Sequence, residues 1–294
     1  MPHTKHKLVQ LPNGIWSLHC VEVAETYHPV VGPEIEAHTL YASQIHLERI
    51  NSSSHPFVVW DVGLGAAANA LAVIKEASAY SGKLVIYSFE HNLKPLQFAL
   101  EHTEKLSYLA PFKNAVQKLL DNHKVSFQHN QISVTWEIIY GDFPEWLHSN
   151  SPQLKEVPPP AAILYDAYSP KKNPDMYTLP LFKKIRSILT NTTPSLLVSY
   201  SRATLLRSTL LLAGFYVGKG AAIGEKEETT VASNTLKLIQ TPLSHDWLAR
   251  AKRSTSAEPM LQPIYQQRPL SEENRQRLTL HPQFQSEASA DAQA

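Results

Sequence analysis

The stretch FVVWDVGLGAAANALAVIKEA, residues 57–77, decides the fold class of this chain. It opens with an apolar run of strand length and continues into an alanine-rich segment whose apolar side chains recur at helical spacing. Between the two lie Gly63 and Gly65, which form the pattern G-x-G-x-x-A with Ala68. A strand, a glycine-rich turn and a helix in this order predict a βα unit whose turn approaches a ligand closely.

The same alternation of strand and helix patterns continues to residue 253. Further strands are predicted at 83–90, 131–140, 161–166, 195–200, 215–217 and 229–233. Helical periodicity lies between them at 93–105, 179–189 and 203–213. These runs predict an α/β fold over residues 51–253, a doubly wound, Rossmann-like sheet whose ligand lies beyond the carboxyl ends of the strands.

The two flanking segments differ from this pattern. Residues 1–50 alternate apolar and polar positions at 14–23 and 38–50, which predicts a small N-terminal β extension. Residues 254–294 are rich in Pro, Gln, Ser and Glu, which predicts a polar, flexible tail.

Composition excludes several classes of protein. Of the 294 residues, 43% are hydrophobic and 18% are charged, and no apolar run reaches the ~18 residues that span a bilayer. The first 20 residues lack the pattern of a secretory signal, so we expect a cytoplasmic protein. The one cysteine, Cys20, excludes an internal disulfide and a cysteine-based zinc site, and the 14 histidines show no ligand spacing. We therefore expect no metal.

Acidic residues follow four consecutive predicted strands at the expected ligand edge: Asp61, Glu90, Asp142 and Asp166. An acid at the end of the second strand is suited to accept hydrogen bonds from both hydroxyls of a ribose. The helix after the glycines offers free N–H groups to a pyrophosphate or to the carboxylate of an amino acid. An acidic edge disfavours a dinucleotide and favours S-adenosylmethionine, which brings a sulfonium cation, an ammonium group and a ribose.

Positive charge concentrates in the second half of the predicted fold. Residues 161–253 hold 13 Lys and Arg against 6 Asp and Glu, although the net charge of the whole chain is only +1. This segment suits contact with phosphate, and it suits an ordinary solvated surface equally well. Lys171 and Lys172 lie beside the fourth strand end and are the expected contacts to phosphate.

Four motifs together resemble the methyltransferase domain of the MnmC family of tRNA-modifying proteins and its stand-alone relatives. They are GLGAAANAL at 63–71, SFE at 88–90, YGDFPEWL at 140–147 and DAYSPKKNPDMYT at 166–178, of which the last is long and unusual. The similarity extends from ETYHP at 25–29 and GPEIEAHTLY at 32–41 to PLSHDWLARAKRS at 242–254.

The resemblance implies a class I methyltransferase fold, S-adenosylmethionine as methyl donor, and the anticodon loop of a tRNA whose wobble uridine carries an aminomethyl group. The cofactor contacts that it implies are Asp61, Gly63, Gly65, Asn69, Glu90, Asp142 and Asp166. The catalytic and substrate-binding residues that it implies are Asp166, Tyr168 and Arg207. Because residues 1–294 hold no counterpart of the FAD-dependent oxidase domain of the bifunctional relatives, we expect no FAD and an upstream enzyme that exposes the amine.

Three positions depart from the family pattern. Ala67 occupies the position of the last glycine of the cofactor loop, and Pro29 replaces a serine. The stretch GEKEETT at 224–230 replaces a basic stretch. The first change is expected to tighten or reshape the cofactor pocket, and the third bears on tRNA contact.

Two other functions stay open. A small-amine methyltransferase or an aminopropyltransferase of the spermidine-synthase type shares the sheet, the acidic strand ends and an amine nucleophile, although the motif at 166–178 argues against it. A tRNA-binding module that has lost catalysis would fit Ala67 and the acidic stretch at 225–228. The four strand-end acids argue against that loss.

Overall fold

An eight-stranded sheet forms the body of the protein, and a small three-stranded sheet precedes it. The computed structural model describes residues 6–51, 55–149, 152–190, 193–224 and 227–285. The small sheet consists of β1 His6–Gln10, β2 Trp16–Cys20 and β3 Glu25–Thr26. The large sheet consists of β4 Phe57–Val62, β5 Gly82–Glu90, β6 Lys124–His129, β7 Ile132–Tyr140, β8 Ala162–Tyr165, β9 Leu196–Ser199, β10 Tyr216–Gly220 and β11 Thr229–Ser233.

Helices connect the strands and cover the sheet. They are α1 Pro33–Leu40, α2 Ala68–Ala77, α3 Lys94–Glu101, α4 Lys113–Asn122, α5 Phe143–His148, α6 Pro152–Glu156, α7 Leu179–Ile188, α8 Thr204–Leu212, α9 His245–Arg253, α10 Glu272–Thr279 and α11 Pro282–Gln285. Short 3₁₀ turns lie at 42–44, 47–50, 107–112, 174–177 and 236–238. Within the described ranges, no helix has the length and apolar character needed to cross a bilayer.

The order of strands in the large sheet confirms the doubly wound prediction. The sheet runs β10-β11-β9-β8-β4-β5-β7-β6, with β7, β5, β4, β8 and β9 parallel to one another. From β4 the chain winds outward through β5 to β7, and it then crosses back to place β8 on the other side of β4. Such a reversal creates a crevice at the carboxyl ends of the strands, where open α/β sheets bind ligands.

Side chains from the two faces of the sheet enter two separate cores. Along β4, Phe57 and Val59 pack with helices α2 to α4, whereas Val58 and Trp60 pack with α5, α7 and α8. Every residue of β4 is buried, as expected for a central parallel strand that helices cover on both faces. This burial fixes the position of the loop that follows β4.

The N-terminal segment is only partly the predicted β extension. Residues 14–23 contain β2 as expected, but the prediction of strand at 38–50 is wrong, because this stretch holds the end of α1 and two 3₁₀ turns. Helix α1 starts with Pro33 in its first turn after Gly32, whose φ of 104° suits glycine. The apolar residues Ala37, Leu40 and Tyr41 are buried, and α1 packs against α2.

The prediction of a flexible tail is wrong for residues 254–285. The backbone of Leu179 donates to the Met260 carbonyl at 2.7 Å. The buried side chain of Gln283 accepts from the Val217 N–H at 2.7 Å and donates to the Val217 carbonyl at 2.8 Å. A few buried apolar side chains, Leu278 and Phe284 among them, suffice to hold a segment of polar composition. Residues 286–294 lie outside the described residues.

Ala67 adopts a left-handed backbone conformation. It is the N-cap of α2, with φ 64° and ψ 15°, and its side chain is fully buried. This is the position where the family pattern has glycine, and the left-handed region costs an L-residue roughly 1–2 kcal/mol. The residue is not part of the cavity wall, whereas its neighbours Ala66 and Ala68 are. The substitution therefore strains the turn rather than narrowing the cavity.

An Ala67→Gly variant is expected to raise the free energy of unfolding by about 0.5–1 kcal/mol, because relief of the left-handed backbone exceeds the entropy that glycine adds to the unfolded chain. This corresponds to roughly 2 °C in Tm, measurable by calorimetry. The matched control is Ala72→Gly in the right-handed interior of α2, which should lower the free energy of unfolding by about 1 kcal/mol. An Ala67→Gly variant that melts below the wild type would contradict this account.

Candidate active site

A cavity of about 580 Å³ opens at the carboxyl ends of β4, β5, β7 and β8. Its floor and walls come from residues at and after the ends of these strands, and residues 24–29, which include β3, contribute a further wall. The volume is that of a site for a small-molecule ligand. The cavity lies at the edge of the sheet where the sequence predicts the ligand.

The glycine-rich turn after β4 forms one side of the cavity. Gly63 has a φ of 94°, and a Cβ atom there would lie 2.7 Å from the backbone oxygen of Asp166, so the close approach of the two strand ends requires glycine. Gly65, with a φ of 53°, faces the ring of Tyr27. Helix α2 begins directly afterwards, and no side chain caps its N-terminus. Its first N–H groups are suited to an anionic group of a ligand.

Glu90 connects the end of β5 to this turn. Its Oε2 atom accepts from the Gly65 N–H at 3.1 Å, and Oε1 accepts from the N–H groups of His91 and Asn92 at 2.9 and 3.0 Å. The side chain is only 10% exposed and lies in the cavity wall. A carboxylate fixed in this way retains lone pairs for ribose hydroxyls while it holds the glycine turn in place.

Asp142, after β7, has a structural role in addition to its place in the cavity wall. Its Oδ1 atom caps α5 by accepting from the Glu145 N–H at 3.0 Å. Beside it, Phe143 and Phe89 line the cavity with ring centroids 4.9 Å apart. This end of the cavity therefore combines an apolar aromatic wall with an acid, an arrangement suited to a flat heterocyclic base.

Asp166, after β8, is held by donors from two distant segments. The Tyr41 hydroxyl donates to Oδ1 and the Asn69 amide donates to Oδ2, each at 2.7 Å. His28 contacts the other end of the Asn69 amide, with 3.2 Å between Nε2 and Oδ1. Burial, reinforced by the Asp166 carboxylate, raises the pKa of Tyr41 well above its usual value, so the phenol stays protonated and donates. The carboxylate is thus fixed in direction at the crevice.

Two tyrosines close the cavity above Asp166. The hydroxyls of Tyr27 and Tyr168 lie 2.6 Å apart, and their rings meet edge to face with centroids 6.0 Å apart. Burial raises the pKa of both phenols, so each stays neutral. The predicted residue Tyr168 therefore lies in the cavity wall, in contact with the segment that follows β3.

Asp61 differs from the other predicted acids, because it does not line the cavity. It is 1% exposed within β4, and Oδ2 accepts from the Ser88 hydroxyl at 2.7 Å. Its Oδ1 atom is buried without a hydrogen-bond partner. Burial raises the pKa of Asp61 to about 7, against the lowering effect of the Ser88 hydrogen bond. Its position supports the β4 end from inside the core, which corrects the expectation of a direct cofactor contact.

Arg207 is a second correction. The residue is fully buried, because all but the first position of α8 packs into the core. Its guanidinium donates to Glu228 at 2.6 Å, to the Thr229 carbonyl at 2.6 Å and to the Thr230 hydroxyl at 3.0 Å. These bonds hold α8 to β11 and leave the guanidinium inaccessible to phosphate. Lys171 and Lys172, in contrast, are exposed next to the cavity, as predicted.

The acidic stretch at 224–230 takes a structural role where it is described. Residues 225 and 226 lie outside the described residues. Glu228 pairs with Arg207 and, at 3.0 Å, with Lys219. The pair with the buried Arg207 explains an acid at this position, because a buried cation needs a partner.

Carboxylates dominate the charge of the cavity wall. The acids that line it are Glu25, Glu36, Glu90, Asp142 and Asp166, and no lysine or arginine is among the described lining residues. S-adenosylmethionine, with a sulfonium, an ammonium and a ribose, fits this donor and acceptor set, whereas a pyrophosphate would meet like charge. Across the described part of the chain, no group of three or more His, Cys, Asp or Glu could hold a metal ion.

Sequence reasoning missed several residues of the site. Tyr41 and Glu36 come from α1 or its end, and Tyr200 follows β9. Glu36 is buried, and its Oε1 atom accepts from three successive N–H groups, those of residues 30–32, at 2.7–3.0 Å. It thereby fixes the segment that follows β3 over the cavity. The family-like motifs at 25–29 and 32–41 could have indicated these residues, because they lie outside the strands of the large sheet and still resemble the family.

Comparison with known proteins assigns the class. A family model described as S-adenosyl-L-methionine-dependent methyltransferase matches residues 102–235. The solved structure of MnmC2 from Aquifex aeolicus superposes with a TM-score of 0.67 over 95% of this chain and 85% of that chain, at 21% identity. The chain therefore has the fold of the class I methyltransferases, and residues 102–235 match the model of an S-adenosylmethionine-dependent methyltransferase family.

Several relatives of the chain are MnmC proteins, which confirms the resemblance. The tRNA 5-methylaminomethyl-2-thiouridine biosynthesis bifunctional protein MnmC of Ralstonia nicotianae is 27% identical over 71% of this chain and 32% of its own. MnmC of Methylibium petroleiphilum is 25% identical over 87% of this chain and 38% of its own. An uncharacterized protein of Methanocaldococcus jannaschii is 24% identical over 78% of this chain and 59% of its own. The chain thus spans from about a third to three fifths of the length of these relatives.

Proposed function

We propose that this protein methylates the primary amine of 5-aminomethyluridine, or of its 2-thio form, at the wobble position of tRNA, with S-adenosylmethionine as donor. The observation that carries the proposal is the position of the motif at 166–178. Asp166 lies at the switch point of the sheet, with both oxygens fixed, and Lys171 and Lys172 lie exposed beside it. Several relatives of the chain are MnmC proteins, whose full name refers to the biosynthesis of 5-methylaminomethyl-2-thiouridine in tRNA.

The cofactor end of the cavity is the side of β4, β5 and β7. Glu90 would hold the ribose, Asp142 and Phe143 the adenine, and the uncapped N-terminus of α2 the carboxylate of the amino acid. When bound, S-adenosylmethionine supplies a methyl group activated by a positive sulfur. The acidic wall favours this cation over its neutral product, which promotes product release.

Asp166 would orient the amine of the acceptor. Methyl transfer to nitrogen is an in-line displacement, so the nitrogen lone pair must point at the methyl carbon from about 3 Å. Each Asp166 oxygen accepts one hydrogen bond from the protein and keeps one lone pair for an N–H group of the substrate. Because the carboxylate cannot rotate without breaking its bonds to Tyr41 and Asn69, it fixes the direction of the amine.

Tyr168 and Tyr27 would form the wall for the uracil ring. Bases that enter an active site leave their stack in the RNA and pack on aromatic side chains. The edge-to-face pair of these tyrosines presents such a surface at the acceptor end of the cavity. A nucleoside in this position would have its 5-substituent directed to the Asp166 carboxylate.

The rim of the acceptor end is suited to the RNA backbone. Exposed cations follow β8 and β9, on the half of the sheet edge opposite to the strand-end acids of β5 and β7. They are Lys171, Lys172 and Arg202, of which sequence reasoning missed the last. Arg202 comes two residues after Tyr200, which lines the cavity. The sheet edge is thus divided into an acidic half for the donor and a basic half for the phosphates of the acceptor.

An Arg202→Ala variant is expected to raise the KM for tRNA and to reduce the dependence of log KM on log salt by about one unit, because one phosphate contact is lost. Its affinity for S-adenosylmethionine should stay unchanged. The matched control is Lys83→Ala, which removes an exposed cation from the amino end of β5, at the opposite edge of the sheet. If both variants show the salt dependence of the wild type, the basic half of the edge does not bind RNA.

The acceptor must be supplied by a reaction that exposes the amine. The product of that reaction is a nucleoside with a free aminomethyl group. We propose that a separate tRNA-modifying enzyme catalyses this preceding reaction. A competition experiment tests the acceptor class. Purified protein receives labelled S-adenosylmethionine with tRNA that carries the aminomethyl group and with an excess of a small diamine. Label in the RNA supports the proposal, label in the diamine supports a small-amine transferase, and cofactor binding without transfer supports a binding module.

A further inference from the structure

Glu25 is the one acid of the cavity wall whose presence the donor and the fold leave unexplained. Glu90 and Asp142 lie at the cofactor end, and one oxygen of Glu36 accepts hydrogen bonds from three backbone N–H groups. Asp166 accepts from two fixed donors. Among the described residues, one hydrogen bond reaches the Glu25 carboxylate, from the Ser169 hydroxyl to Oε1 at 3.1 Å.

The position of Glu25 is at the acceptor end. Ser169 belongs to the loop that begins with Asp166 and Tyr168, and Tyr27, two residues after Glu25, contacts Tyr168. Burial raises the pKa of Tyr200, and the carboxylates of Asp166 and Glu25 raise it further. Glu25 therefore lies in the part of the cavity wall to which Asp166, Tyr168 and Ser169 also belong.

The backbone fixes Glu25 in this place. It lies in β3 and pairs with Cys20 of β2, so the carboxylate projects from a strand rather than from a free loop. Three residues beyond Tyr27, the segment is bound by the Glu36 carboxylate. A charged group held at both ends of its segment is preorganised for a ligand of opposite charge.

We propose that Glu25 is the group that binds the acceptor amine as an ammonium ion and accepts its proton before methyl transfer. The inference rests on the proposed function, since it names a second carboxylate for the same amine. A primary alkylammonium titrates near ~10.4 in water and arrives charged at neutral pH. A cavity without lysine or arginine in its described wall, and with two carboxylates at its acceptor end, attracts such a group.

The proton transfer assigns different tasks to the two carboxylates. The N–H bond of the ammonium breaks, the proton passes to Oε2 of Glu25, and the electron pair stays on nitrogen. This lone pair forms the new N–C bond while the bond between the methyl carbon and sulfur breaks and leaves its electron pair on sulfur. Oε2 suits this role because the Ser169 bond engages the other oxygen. A proton on Asp166 would crowd an acceptor that two donors already face. After transfer, the proton on Glu25 passes to water at the cavity mouth.

The test measures binding, so that it does not depend on turnover. Two anticodon stem-loop RNAs are compared, one with 5-aminomethyluridine and one with the neutral 5-hydroxymethyluridine at the wobble position. The ratio of their Kd values cancels the contribution of the phosphates. The wild type should prefer the aminomethyl form by about 10- to 100-fold, and Glu25→Gln should reduce this preference by at least about tenfold. Glu22→Gln, an exposed acid three positions earlier, is the control that should keep it.

Each outcome has a separate meaning. A Glu25→Gln protein that binds S-adenosylmethionine like the wild type and loses the preference supports the proposal. A Glu25→Gln protein that retains the preference overturns it, and so does one that loses cofactor affinity while keeping the preference. The conservative Glu25→Asp should restore part of the preference, which a folding defect would not explain. Failure of the proposed function is distinct, because the wild type itself would then show no preference and no transfer to RNA.

Discussion

An Asp166→Asn variant is expected to lose about three orders of magnitude in kcat for methyl transfer, within the range of positioned acid and base groups. The amide has the size of the carboxylate but only one acceptor oxygen. Its NH₂ group would therefore face either the Tyr41 hydroxyl or the Asn69 amide, both of which donate to Asp166. The side chain would rotate or be displaced, and the amine would lose its fixed acceptor.

The same variant should keep its affinity for S-adenosylmethionine within about tenfold, since only the charge of one wall residue changes. Single-turnover kinetics and calorimetry separate the two quantities. Asp175→Asn is the matched control, because Asp175 is an exposed acid of the same motif, and it should behave as the wild type. Normal turnover by Asp166→Asn would remove Asp166 from the mechanism.

A Glu90→Gln variant is expected to weaken S-adenosylmethionine binding by about 100-fold. The carboxylate holds Gly65 through one oxygen, and His91 and Asn92 through the other. An amide has one acceptor oxygen, so it can accept either from the Gly65 N–H or from the His91 and Asn92 N–H groups, but not from both. The variant also loses the charge-assisted hydrogen bond to the ribose. Hydrogen bonds to charged groups contribute about 1.5–3 kcal/mol each, and 1.4 kcal/mol is tenfold in Kd.

Calorimetric titration with S-adenosylmethionine measures this loss directly. The control is Glu101→Gln, an exposed acid at the end of α3, which is expected to leave the Kd unchanged. At saturating cofactor, kcat of the Glu90→Gln variant should recover most of its value, because the acceptor end is intact. An unchanged Kd would place the ribose elsewhere in the cavity.

The sequence predicts the large sheet well because its parallel strands are buried on both faces and read as apolar runs between helices. The strand-end acids Glu90 and Asp142 follow from that pattern, since carboxyl ends of parallel strands share one edge. Asp61 has the same sequence signal, yet it lies one residue before the end of β4 and turns into the core toward Ser88. One residue of register decides between cavity and core.

Other features depend on contacts that leave no local pattern. Tyr41 meets Asp166 across 125 residues, and Tyr27 meets Tyr168 across 141. Hydrophobic periodicity predicts local elements and gives no information on which distant residues meet. Arg207 illustrates the opposite case, because a lone cation within TLLRSTLLL already indicates burial with a partner, and Glu228 supplies that partner. The polar composition of residues 254–285 wrongly predicts a flexible tail, because a few buried apolar side chains are enough to hold this segment against the fold.

The proposed acceptor of this protein is the aminomethyl group of a wobble uridine. The most direct measurement incubates the protein with S-adenosylmethionine and tRNA from cells that lack only this last methylation, followed by digestion and mass spectrometry of the nucleosides. We expect 5-methylaminomethyluridine or its 2-thio form to appear while the aminomethyl nucleoside decreases by an equal amount. If the aminomethyl nucleoside persists unchanged while the same preparation binds S-adenosylmethionine, the assignment of the acceptor is wrong.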